Sequence, residues 1–458
     1  MTEQAGSLGL RLGPECPRLP DALEQRLRDR MHLAELRRGA RGWKGRLALG
    51  LALIGPGVLV MLGDNDAGGV VTYAQTGATY GLGIFLPLML LLGLVAYVVQ
   101  EMTVRLGAVT RRGHAELIWK RYGAFWGWFS LVDLIVANVL TLMTEFVGIR
   151  LGGQALGIPA WISVPGALLF ITYALVVLRY WTWERISLFI AALNLIFVPL
   201  ALMAHPDWHG VAHAFTGHGW VVPGGFLSLT FLILISANIG TTIAPWQLFF
   251  QQSCVVDKGL LPQDIRAGRR DLMLGVIGMV VVAMALIVLS AQSLKGLSDA
   301  QGLDAYLILH VLRARLGDGM MALFALGLME AGLIASIVIT ASSAWAVGEA
   351  FGIERSINAA PRQALGFYLP AIVGTAIAAG VVMLPGLDLG FLNLSVQVIA
   401  TVFMPAAMLF LLMLLNDREL MGEHVNSRER NAASIAIMLA LIACNGLYGI
   451  ATLFPHAF

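Results

Sequence analysis

The chain has 458 residues, 58% of them hydrophobic and 13% charged, with a mean hydropathy of +0.78. Soluble domains carry ~25% charged residues, so a soluble globular fold is excluded and an all-α polytopic membrane protein in contact with the lipid bilayer is expected. A formal net charge of +2 gives no ground for a nucleic-acid partner, and three scattered cysteines, Cys16, Cys254 and Cys444, argue against a disulfide framework.

Residues 1–46 form a polar tail with ten Lys/Arg against six Asp/Glu and no cleavable signal. Leu23, Leu27, Met31 and Ala34 recur there at helical spacing. The tail reads either as an amphipathic helix on the inner membrane surface or as a partly disordered basic segment. Residues 47–458 form the transmembrane domain. Eleven apolar stretches, each near the ~20 residues a span needs, fall at about 47–81, 83–104, 124–149, 159–179, 185–204, 225–253, 271–294, 319–348, 365–384, 390–415 and 432–454. With the N-terminus inside, 26 of the 30 Lys/Arg lie on the inner side, and only Arg150, Lys295, Arg313 and Arg315 lie outside. The positive-inside rule therefore predicts a cytoplasmic N-terminus and an external C-terminus in a cell (inner or plasma) membrane.

The first stretch is interrupted by Gly63-Asp64-Asn65-Asp66-Ala67-Gly68-Gly69. An Asp in a spanning helix costs roughly 2.5–3.5 kcal/mol on insertion scales, and unwound backbone at membrane depth is tolerated only inside protein or along a cavity. Acid plus a break reads as a cation site. The sixth stretch is interrupted in turn at Ser236-Ala237-Asn238-Ile239-Gly240-Thr241-Thr242, and Ile243-Ala244-Pro245-Trp246 is expected to resume the helix. Spans one and six lie five apart, and five is odd, so a five-span repeat must be inverted, with halves at about 47–204 and 225–415 and an eleventh helix at about 432–454. Paired broken helices in matching positions of inverted halves point to a transporter's midplane site.

These stretches resemble the Nramp divalent-metal transporters. Gly55-Pro56-Gly57 with Asp66-Ala67-Gly68-Gly69 is similar to that family's first helix, whose break reads Asp-Pro-Gly-Asn. Gly240 to Trp246 is similar to its sixth-helix Gly-Ala-x-x-Met-Pro-His. Thr141 to Gly148, Glu330-Ala331-Gly332 and Asp417 to Glu423 also match, and the likeness runs from about Gly55 to Val425. It implies a LeuT-like (APC-type) fold of eleven transmembrane helices in a 5+5 inverted repeat, with helices 1 and 6 interrupted. A monomer suffices for transport on that fold.

In the family, the break Asp, the Asn three residues on, a sixth-helix carbonyl and the Met sulfur ligate the metal. The corresponding positions here are Asp66, Gly69, Thr241 and Ala244. Losing the soft thioether and the amide removes two direct ligands, and soft ligands are what favour transition metals. Mg²⁺ releases its water reluctantly and binds through one or two carboxylates. The resemblance therefore runs to the Nramp-related magnesium transporters, with Asp66 and Thr241 as metal ligands and Gly69 and Ala244 as room for water. Gln397 on span ten fits a family position that reaches the ion in the occluded site, or else makes an ordinary interhelical hydrogen bond. Asp64 reads as an outer-shell ligand or as a cap of the following half-helix. Oxygen ligands do not separate Mg²⁺ from Mn²⁺, so both are expected as transported substrates, with no resident cofactor.

The family's proton-carrying positions correspond to Leu142, Trp246 and Gln251, with only the neighbouring Glu145 retained. An uncoupled carrier is expected, and voltage suffices to drive it. At ~2.3 kcal/mol per charge per 100 mV a divalent ion gains roughly 4.6 kcal/mol, or about three decades of accumulation. Asp133, Glu145 and Glu330 remain as intramembrane acids and candidates for the ion path, Glu145 with a structural alternative. Asn138 and Asn238 read as interhelical hydrogen-bonding residues. His205, His209, His213 and His218 crowd the loop after span five, where a solvated loop competes with metal binding. The competing functions are a proton-coupled Mn²⁺/Fe²⁺ transporter and an amine or amino-acid transporter on the same fold. A membrane-embedded enzyme lacks support, for there is no Ser/His/Asp set, HExxH or phosphate loop at membrane depth.

Overall fold

The first apolar stretch is broken twice. In the computed structural model, α1 (Trp43–Leu53) gives way at Ile54 and Gly55, α2 (Pro56–Leu62) starts on a proline, and Gly63 to Asp66 separate it from α3 (Ala67–Tyr80). Pro56 suits the first helical position, where its missing N–H removes no hydrogen bond. The structure describes residues 35, 38–39, 42–217, 220–294, 304–353 and 356–453. The proposed amphipathic helix of the tail and His218 lie outside the described residues.

The chain continues as α4 (Phe85–Thr110), a short α5 (His114–Tyr122), α6 (Ala124–Ala155), α7 (Ala160–Val177) and α8 (Tyr180–Leu193). A 3₁₀ turn, Asn194–Ile196, joins α8 to α9 (Phe197–Met203), and α10 (Trp208–Ala214) follows in the loop. The second half holds α11 (Leu229–Thr242), α12 (Pro245–Lys258), α13 (Ile265–Ser293), α14 (Ala305–Leu316), α15 (Asp318–Ala350), α16 (Leu365–Val382), α17 (Leu389–Leu415), α18 (Arg418–Met421) and α19 (Arg428–Leu453). Among the described residues all helices and turns are α or 3₁₀, and ten helical segments are long and apolar enough to span a membrane. The twice-broken α1–α3 supplies the eleventh.

The sixth stretch corrects the sequence reading. Ser236 to Thr242 stay helical, and the break falls instead at Ile243 and Ala244, both extended. The polar side chains fold back onto their own helix: Thr242 Oγ1 donates to the Asn238 carbonyl at 2.7 Å, and Asn238 Nδ2 to the Leu234 carbonyl at 2.7 Å. Pro245 then disfavours helical backbone at the residue before it. Helix-breaking comes from the proline, and not from the polar residues.

Two helices centre the molecule. α13 packs along α2, α3 and α4, and α15 packs along α6. A Cβ on Gly57 would lie 2.6 Å from the Leu272 Cα, and one on Gly275 2.6 Å from the Gly57 carbonyl oxygen, so α2 and α13 meet backbone to backbone. The same end is tied by charge. Asp271 accepts from the N–H groups of Gly55 (2.9 Å), Gly57 (2.7 Å) and Val58 (3.3 Å), which start α2 and would otherwise lack partners. Lys258, at the end of α12, donates to the Ile54 carbonyl at 2.8 Å and pairs with Glu184 at 2.9 Å, both side chains fully buried.

Candidate cation site

Both broken segments place their breaks at one point. Asp66 is extended and caps α3, its Oδ1 accepting the Gly69 N–H at 2.5 Å. Thr241, in the last turn of α11, donates its hydroxyl to the same Oδ1 at 3.4 Å. The residue four beyond Thr241 is Pro245, which has no N–H, so the Thr241 carbonyl loses its intrahelical partner and is left for another donor or an ion. Ala244, buried, occupies the extended link that follows.

Two more carboxylates join Asp66. Asp64 Oδ1 accepts the side-chain amide of Gln247 in the first turn of α12, and Gln247 Oε1 accepts from Gln100 Nε2 of α4 at 3.0 Å. Asp64 Oδ2 is buried with no hydrogen-bond partner. Glu145 of α6 accepts the Ala67 N–H at 2.9 Å and the Thr144 hydroxyl at 3.0 Å. Asp64, Asp66 and Glu145 are each at most 2% exposed. Among the described residues no Lys, Arg or His is hydrogen-bonded or ion-paired to any of them. Uncompensated buried charge of one sign is costly, and a divalent cation is its natural complement.

Space at the site is set by glycine. A Cβ on Gly69 would stand 2.6 Å from Thr241 Oγ1 and 3.1 Å from Asp66 Oδ1, so a side chain here would press into the pair of ligand candidates. Gln397 of α17 lies against both broken segments, in the space that a Cβ on Gly68 or on Gly240 would fill, and its Nε2 is buried without a partner. Asn393, one turn earlier, donates to the Gly68 carbonyl at 3.3 Å. The structure thus gathers Asp66, Thr241, Gly69, Asp64 and Gln397, with Glu145 beside them.

Asp133 and Glu330 stand apart. Asp133 is half-buried on α6 next to the exposed Val132, and Glu330 is buried on α15 with neither oxygen bonded. Among the described residues no hydrogen bond or ion pair joins either to the site. His205, His209 and His213 are exposed in the loop after α9. Leu142, Trp246 and Gln251 are all buried, and none of the three carries a titratable side chain. Asn138 bonds Ser343 at 2.9 Å and Asn238 bonds Thr76 at 2.8 Å, joining α6 to α15 and α11 to α3.

Sequence reasoning missed Gln247 and Gln100, which hold Asp64, and Asn194, whose amide donates to the carbonyls of Leu62 (3.3 Å) and Asn65 (3.2 Å) and so holds the first break open. Their only signal was an uncharged amide at membrane depth.

The family described as Natural resistance-associated macrophage protein-like (Nramp) matches residues 57–451. The divalent metal cation transporter MntH of Granulibacter bethesdensis is 26% identical over 88% of each chain. Among solved structures, the manganese transporter of Eremococcus coleocola superposes with a TM-score of 0.73 at 22% identity, over 90% of this chain and 88% of its own. MhsT, solved with L-phenylalanine, superposes with a TM-score of 0.54 at 14% identity, over 87% of this chain and 97% of its own. With its helix order, its paired breaks and this match over most of its length, the chain belongs to the Nramp family of membrane transporters and has the LeuT-like fold.

Proposed function

We propose that the chain carries divalent cations, Mg²⁺ foremost and Mn²⁺ with it, into the cytoplasm by alternating access, as partly hydrated ions and without proton coupling. The observation that carries this reading is the meeting of Asp66 and Thr241 from two facing helix breaks, beside Asp64 and Glu145, in an all-oxygen setting with no neutralising side chain. Divalent metal cation transport is also what the MntH relative is named for.

Three features favour a hydrated hard ion. Ala244 supplies no sulfur, Gly69 puts no side chain between Asp66 and Thr241, and Asp66 and the freed Thr241 carbonyl offer oxygen only. Among the described residues no three His, Cys, Asp or Glu side chains are placed to share one metal. Few charged ligands leave positions for carbonyl, hydroxyl and water oxygens, which supports an ion that dehydrates reluctantly. Inner-side placement of most Lys/Arg supports a cytoplasmic N-terminus and an external C-terminus.

Glu145 is the one group that would favour the proton-coupled alternative. Its Oε2 accepts the Ala67 N–H at 2.9 Å, while Oε1 lies 3.0 Å from Thr144 Oγ1, whose single proton also reaches the Thr141 carbonyl at 2.7 Å. The bond to Ala67 supports a role in holding the start of α3 over that of a proton carrier.

The test is ²⁸Mg²⁺ uptake into proteoliposomes with Mn²⁺, Ca²⁺ and Cd²⁺ as competitors. The native chain is expected to take up Mg²⁺, with Mn²⁺ competing and Cd²⁺ gaining no preference, and Asp66→Ala to lose uptake. Undiminished uptake by Asp66→Ala would remove the site.

A further inference from the structure

We propose that a cleft between α4, α13 and α19, lined by none of the candidate cation-site residues, binds the headgroup phosphate of an anionic phospholipid of the inner leaflet. The cleft has a volume of about 240 Å³ and is lined by Arg105, Arg269 and Arg430 with Glu101 as its one carboxylate. This lies below the ~300–1,000 Å³ of pockets that enclose a whole small molecule, and suits a headgroup whose chains lie outside.

The charges do not balance. Glu101 is shared: Arg269 donates to its Oε1 through Nε (2.9 Å) and Nη2 (2.5 Å), while Arg105 Nη2 reaches its Oε2 at 3.2 Å. Three guanidinium groups against one carboxylate leave two positive charges unmatched. Arg105 is 1% exposed and fixed by the His424 carbonyl (2.8 Å) and Asn426 Oδ1 (2.6 Å), yet its Nε is buried without a partner. Arg430 is exposed at the rim and makes no ion pair among the described residues. A phosphate oxygen is an acceptor that guanidinium binds with matched geometry.

The surroundings select a lipid over a free anion. All three arginines sit at the inner ends of their helices by the positive-inside assignment. One to three turns outward, exposed apolar side chains follow on the cleft side of two of these helices, Leu94 on α4 and Met273 and Ile277 on α13. A molecule with its phosphate among the arginines and its chains along these faces meets both chemistries. Basic pockets between transmembrane helices on the cytoplasmic side take such headgroups.

The test uses the purified full chain, with bound lipid counted by native mass spectrometry and Tm followed on adding phosphatidylglycerol, phosphatidylcholine or inorganic phosphate. Phosphatidylglycerol is expected to be retained and to raise Tm, with phosphatidylcholine and phosphate inert. Arg430 is exposed, so Arg430→Gln should fold; it should weaken phosphatidylglycerol binding roughly fivefold, and Arg430→Lys should restore most of it. Equal shifts from phosphatidylcholine or from phosphate alone would overturn the lipid assignment. Equal phosphatidylglycerol binding by native chain and Arg430→Gln would overturn the site.

Discussion

Gln247 donates its side-chain amide to Asp64, so the third residue after the break of one segment holds a carboxylate in the break of the other. Gln100 fixes the Gln247 amide from behind at 3.0 Å. The result is a chain from α4 through α12 to the first break, with one Asp64 oxygen held and Oδ2 left unbonded.

If that free oxygen takes part in holding the hydrated ion, Gln247→Leu should raise the KM for Mg²⁺ about tenfold, equivalent to ~1.4 kcal/mol. It should also lower stability by about 1–3 kcal/mol, because a buried carboxylate oxygen loses its donor. A double-mutant cycle separates the two effects: in an Asp64→Asn background Gln247→Leu should leave KM unchanged. A full KM effect in that background would show that Gln247 acts elsewhere.

Metal selectivity is expected to follow the residues at 244 and 69. Ala244→Met returns a soft sulfur to the second break and should raise the Cd²⁺/Mg²⁺ uptake ratio. Gly69→Asn places a side chain against Thr241 Oγ1 and Asp66 Oδ1 and should cut Mg²⁺ flux. Competition assays in liposomes read both, and an unchanged ratio in Ala244→Met would contradict the assignment of that position to the site.

The Lys258–Glu184 pair, 2.9 Å apart and fully buried, closes the end of the molecule where α2 begins. Removing one member of a buried pair costs about 3–5 kcal/mol, since the other charge is left unpaired. Lys258→Met should therefore lower Tm strongly, and Lys258→Met with Glu184→Gln should recover much of the loss. Cys254 supplies a readout of opening. It is buried with its Sγ 3.0 Å from the Tyr180 hydroxyl, which in turn bonds Glu184 at 3.1 Å. Maleimide modification of Cys254, located by peptide mass spectrometry, should rise in Lys258→Met.

His114, in the loop helix α5, is buried against Phe249 with its ring centroid 4.7 Å away and Nδ1 3.0 Å from Gln252 Oε1. Burial pushes its imidazole down to about 4, from an ordinary value of 6.5. The unfolded chain therefore binds the proton more readily. The stability this group contributes is full above about pH 6.5 and is lost as pH falls towards 4, by up to about 3 kcal/mol. Tm measured across that window should fall more steeply for the native chain than for His114→Gln.

The spans and their breaks were largely legible because hydropathy and the cost of buried acid act along the chain. Asp66 and Thr241 stood out as polar residues beside helix-breaking sequence, and the structure brings them together. The sixth break was misplaced because Ser236, Asn238 and Thr242 look like helix breakers until their side chains bond their own backbone, as those of Asn238 and Thr242 do. Glu145 bonding Ala67, 78 residues away, and Gln247 bonding Asp64, 183 away, depend on how distant helices are rotated against each other. No local pattern carries that. Asp133 and Glu330 show the converse: depth in a span marks an acid as costly but does not say which way it faces.

The most direct measurement records Mg²⁺ uptake and lumenal pH together in proteoliposomes held at a negative internal voltage. The account predicts voltage-driven Mg²⁺ accumulation with no lumenal acidification, and neither signal with Asp66→Ala. Acidification in step with Mg²⁺ uptake, or uptake that survives the loss of Asp66, would contradict it.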